Sequence, residues 1–148
     1  MNNTTPETPE VALLQHIHKG TVMGIESIRH LNCLSESATF SAALNTQMQE
    51  YENVRAEAAD RLTAVGAKPQ GISPAARIMS DMTSNMKSMM DRSSSKLAEI
   101  MIEGSTMGTT NLTKELNDYK GSDQQVRALA TRLLKTEEKN IQEMKKFL

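Results

Sequence analysis

Apolar residues recur every three or four positions along most of the chain, which is the spacing of one face of an α-helix. Leu14, Ile17, Thr21, Gly24, Ile28 and Leu31 mark a first stripe. Thr8 can cap that helix, with Pro9 at its first position, so a helix is expected over about 9–35. "LSES" (34–37) reads as a tight turn with serine caps. Phe40, Leu44, Tyr51, Val54, Ala58, Leu62 and Val65 give a second stripe over about 38–65, closed by Gly66.

After the Gly/Pro loop "AKPQGI" (67–72), Ser73 and Pro74 signal a new helix. No Pro or Gly interrupts residues 75–103. One helix from 74 to 120 would be about 70 Å long, against about 40 Å for the others. "DRSSSK" (91–96) is the expected break, because serine side chains compete for backbone hydrogen bonds. The result is a Met-rich helix over about 74–91 and a main helix over about 93–120. An unbroken third helix, exchanged between two subunits, is the alternative. Gly121 ends the main helix, and "SDQQ" (122–125) reads as a capping-box start for a helix over about 122–147. Val126, Leu129, Leu133, Glu137, Asn140, Met144 and Phe147 share one face of this last helix.

The expected fold is all-α. Two antiparallel hairpins are joined by a long connection, the order of a ferritin-like up-down-down-up four-helix bundle with an additional Met-rich crossover helix. Residues 1–8 are expected to be a disordered tail and 9–148 a single domain. Composition agrees: aromatics are 3% of the 148 residues, and helix formers dominate.

Charge narrows the functional classes. A net charge of −1 gives no footprint for nucleic acid or an anionic membrane. No apolar run is long enough to span a bilayer. The polar start "MNNTTPETPE" has no basic region followed by an apolar core, so export is not expected. With Cys33 as the one cysteine, no internal disulfide is possible and a cytoplasmic location is expected.

Glu137 stands in the middle of an apolar stripe, so it needs a proton, a partner or a metal. Di-metal bundles place Glu on two helices and Glu-x-x-His on two others. The echo here is Glu26, Glu50-x-x-Asn53, Glu103 and Glu137-x-x-Asn140. Both histidine positions are Asn, a poor ligand for iron or zinc. By helical angle Glu137 faces inward with Asn140 beside it, Glu103 flanks its stripe and Glu50 sits at an edge. Glu26 and Asn53 point away. Gly104, Ser105 and Gly108 are expected to leave space for Glu137, with Ser105, Thr106 and Asn140 as hydrogen-bond partners. A polar cluster that fixes helix register is the plainest outcome. The metal alternative uses Glu103, Glu137 and Asn140, extended to Glu50 and Glu26 in a full site, with iron or manganese as the metal.

The second hairpin adds a resemblance. Met101, Ile102, Gly108, Leu129, Ala130, Glu138, Ile141, Met144 and Leu148 resemble the C-terminal half of a ferritin-like family of bacterial proteins of unknown function. Its members are often periplasmic and linked to copper. The resemblance covers about a third of the chain and implies the fold. That family carries paired histidines where this chain has Gly104 and Ser105, so it implies no copper ligands here.

Met79, Met82, Met86, Met89 and Met90 recur at helical spacing. Thioethers suit Cu(I), but a flexible packing face against the bundle, a partner or a second subunit is the expected use. His16, Met23, Glu26, His30 and Cys33 share the polar face of the first helix, and a polar face produces such spacings without a metal. The functional expectation is a dimeric, uncharacterised bundle that is non-enzymatic or keeps residual metal binding in the second hairpin. Its rivals are a di-iron or di-manganese oxidase or metal store, and a scaffold that recruits a partner through the Met-rich helix.

Overall fold

The computed structural model describes residues 7–70 and 89–148. These residues form four α-helices and no strand: α1 (Pro9–Leu34), α2 (Ala38–Ala64), α3 (Ser94–Asp118) and α4 (Gln124–Lys145).

Each helix begins on a short polar side chain that accepts a free backbone N–H. Thr8 Oγ1 accepts from Val11 N at 3.2 Å, and Ser37 Oγ accepts from Phe40 N at 3.2 Å. Ser93 Oγ accepts from Lys96 N at 3.2 Å, while Asp91 Oδ1 accepts from Ser93 N at 3.0 Å. The start of α4 differs from the expected capping box. Asp123, not Ser122, is the cap, and its Oδ1 accepts from Gln125 N at 2.8 Å and Val126 N at 3.3 Å. α2 ends in a Schellman arrangement around Gly66, whose φ of +75° suits a residue without a β-carbon. Gly66 N bonds Thr63 O and Ala67 N bonds Leu62 O.

Residues 89–93 are not helical, so α3 is a separate helix and not the continuation of one long helix. Ser93 starts it, and Ser93→Ala should lower stability by about 1 kcal/mol through loss of the cap. Urea unfolding of the variant checks this; an unchanged midpoint would mean Asp91 or water takes over the cap. Of the expected Met-rich helix, residues 71–88 with Met79, Met82 and Met86 lie outside the described residues. Met89 is half-buried against the core, and Met90 is 99% exposed.

One core runs through the bundle, from Leu14, Ile17 and Ile28 on α1 to Leu133 and Met144 on α4. The pairings are specific. α1 packs mainly on α2 and α3 mainly on α4. Phe40 at the start of α2 meets Phe147 beyond α4 edge-on, with ring centroids 5.1 Å apart. At the other end Arg61 Nη1 donates to Gln125 Oε1 at 2.8 Å. Between them Arg132 Nε donates to Glu50 Oε1 at 3.0 Å. α1 and α3 meet through His16 and Glu115, 3.8 Å apart, and through Tyr119, whose Oη lies 3.4 Å from Glu10 Oε1. Such partly exposed polar contacts add about 0–1 kcal/mol each, and burial of the apolar faces dominates. No helix among the described residues is long and apolar enough to cross a membrane.

Candidate functional site

The polar centre of the bundle is built from three helices. Glu137, on the apolar face of α4, is 6% exposed. Tyr51, on the apolar face of α2 and 1% exposed, donates from Oη to Glu137 Oε2 at 2.7 Å. Ser105 of α3 is close to the carboxyl and, with Asn140, to the Tyr51 hydroxyl.

Two glycines shape the space. A β-carbon at Gly108 would stand 3.3 Å from Glu137 Oε1, and one at Gly24 would stand 2.9 Å from two Tyr51 ring carbons. α3 therefore yields room to the carboxyl, and α1 yields room to the phenol ring. Gly104 meets nothing within 4 Å and is not part of this wall.

Electrostatics follow from burial. Removal from water pushes the Glu137 carboxyl up to about 7, against smaller lowering effects of the Tyr51 and Ser105 hydrogen bonds. Among the described residues, no cation and no second carboxylate is one of the groups that shift it. Burial, then the neighbouring Glu137 charge, holds the Tyr51 phenol well above its usual range, so Tyr51 stays a donor.

The other expected carboxylates do not join this cluster. Glu103 is exposed. Counted at about 100° per residue from buried Leu97, Ala98, Met101, Ser105 and Leu112, it falls roughly opposite the core and does not flank it. Glu50 is half-buried at the α2–α4 seam and held by Arg132. Glu26 pairs with Arg29 of its own helix at 2.6 Å. Thr106, an expected partner, is exposed. Among the described residues no three His, Cys, Asp or Glu side chains are grouped to hold a metal. Cys33 is exposed.

Tyr51 is the partner that sequence reasoning missed, because a tyrosine in an apolar stripe reads as core. The signal was its level: it lies at mid-length in α2, as Glu137 does in α4. Gln47, one turn before Tyr51, is also buried and was passed over. No protein-family model, no curated protein and no solved structure matches the chain.

Proposed function

We propose that this chain is a non-enzymatic ferritin-like bundle, in up-down-down-up order, whose central carboxyl is closed by the protein's own hydrogen bonds. The helix order is supported by the contacts between ends. Phe40 with Phe147 and Arg61 with Gln125 set α2 against α4 in opposite directions, and Glu10 with Tyr119 does the same for α1 and α3.

The observation that carries the reading is the 2.7 Å bond from Tyr51 to Glu137. A di-metal bundle needs several converging, ionised carboxylates. Among the described residues one carboxyl faces inward, its neighbours are neutral donors, and burial favours its protonated form. A buried Glu–Tyr pair of this kind fixes how α2, α3 and α4 sit against one another, since sliding any of them leaves the carboxyl unpartnered. Residual metal binding at the α3–α4 hairpin would rest on Glu137 with Asn140, without Glu103.

Metal content tests the reading. Untagged protein is purified without chelators, challenged with Fe(II), Mn(II), Zn(II) and Cu(I), and measured beside Glu137→Gln by mass spectrometry. We expect no stoichiometric retention in either. Retention near about one or two ions per chain, lost in Glu137→Gln, would overturn the proposal and make an oxidase assay the next step.

A further inference from the structure

Gln47 on α2 and Asn140 on α4 lie one turn from Tyr51 and Glu137, so the antiparallel helices bring them to one level. Each is 4% exposed. Among the described residues neither atom of the Gln47 amide has a hydrogen-bond partner, and Asn140 Nδ2 has only the nearby Tyr51 hydroxyl. Buried amides are almost always satisfied, so the two open atoms of Gln47, level with Asn140, call for an occupant.

Both side chains line an open groove of about 1060 Å³ between α2 and α4, with Thr136 beside them. Arg127, Arg132, Lys135 and Lys139 border the groove, against Glu50 and Glu143. Arg132 is engaged by Glu50 and Glu57. Lys135 and Lys139 make no ion pair among the described residues, and they adjoin Thr136 and Asn140 in sequence. The groove thus offers two amide donors, one amide acceptor and an excess of positive charge.

We propose that the α2–α4 groove is a binding site for a small organic carboxylate with a neighbouring hydroxyl or amino donor. The carboxylate takes the N–H groups of Gln47 and Asn140, the neighbouring donor takes Gln47 Oε1, and Lys135 and Lys139 supply the attracting charge. The amide atoms are covered in this structure, each with less than 1 Å² exposed. Entry therefore requires the Gln47 side chain to turn outward. The site goes beyond the proposed function and does not depend on it, because neither Glu137 nor Tyr51 lines the groove.

The test is a nuclear magnetic resonance titration of ¹⁵N-labelled full-length protein with acetate, glycolate, acetamide and sodium chloride. The side-chain amide signals of Gln47 and Asn140 are assigned from Gln47→Leu and Asn140→Ser. Glycolate should shift both signals saturably, with a dissociation constant on the order of millimolar. Acetate should bind more weakly for lack of the hydroxyl, and acetamide more weakly for lack of charge. The double variant Lys135→Ala/Lys139→Ala, altered only on the surface, should weaken glycolate severalfold. Absence of a saturable shift would overturn the site. So would an equal response to chloride, which would mean an adventitious ion only. Direct bonding of Gln47 to Asn140, unchanged by every probe, would overturn it as well. Equal binding of acetate and glycolate would overturn the assignment of Gln47 Oε1.

Discussion

As the pH rises from 4.5 through 7, the unfolding free energy of the wild type should fall relative to Glu137→Gln by about 3 kcal/mol. The sign follows from the direction of the shift. Glu137 titrates at about 7 when folded and near 4.5 when unfolded. Between these values the folded state holds a proton that the unfolded chain has released, and each pH unit so spanned is worth about 1.4 kcal/mol. The contribution is complete below 4.5 and gone once the pH exceeds the folded value. Burial lowers His16 and His18 from their usual 6.5, which gives the opposite slope on the acid side. Subtracting the Glu137→Gln curve from the wild-type curve removes that slope. Chemical denaturation across the range is the measurement. A difference curve that stays flat would mean that Glu137 is solvated or paired with a cation, and the closed-centre proposal would fail. Tyr51→Phe extends the test. It removes a hydrogen bond that favours the charged carboxylate, so the midpoint should move above 7.

Gly24→Ala should cost about 1–3 kcal/mol, although alanine is the better helix former. Its β-carbon would stand 2.9 Å from two carbons of the Tyr51 ring and 3.1 Å from a third. The ring cannot retreat cheaply, because it is buried on both sides and its hydroxyl is tied to Glu137. Gly20→Ala, one turn earlier on α1, meets nothing within 4 Å. It should be neutral or stabilising by up to about 1 kcal/mol. Urea unfolding of the two variants under one condition separates backbone propensity from packing. If both gain stability, Tyr51 does not set the distance between α1 and α2. If Gly24→Ala also raises the Glu137 midpoint, the displaced ring has carried its hydroxyl off the carboxyl.

Much of the local structure was legible in the chain. The stripes of α1, α2 and α4 identify Ile17, Leu44 and Leu133 as core, and Thr8, Ser37 and Gly66 mark helix ends through chemistry that acts over a few residues. Serines after Asp91 signalled the start of α3 for the same local reason. Glu137 was legible too, since a carboxylate inside an apolar stripe departs from periodicity at one point.

α3 was harder. Between Met101 and Leu112 its buried face runs through Ser105, with no large apolar side chain to mark it, and Glu103, expected to flank that face, stands opposite. Gln47 and Tyr51 were hidden differently. Both obey the spacing of the α2 face, and nothing local distinguishes a packed phenol from one that holds a carboxyl 86 residues away.

The sequence by itself determined the inward apolar faces of α1, α2 and α4, where α1, α2 and α3 begin, and that one carboxyl would be buried. Ser105 and Gly108 were expected beside that carboxyl and Glu26 away from it; tertiary structure alone decided that Tyr51 meets it, that Gly24 makes room for the phenol, and that Glu103 stands opposite the core. Periodicity fixes a residue's angle about its own helix axis. It carries no information on how one helix is rotated and shifted against the next, and those two quantities choose the partners.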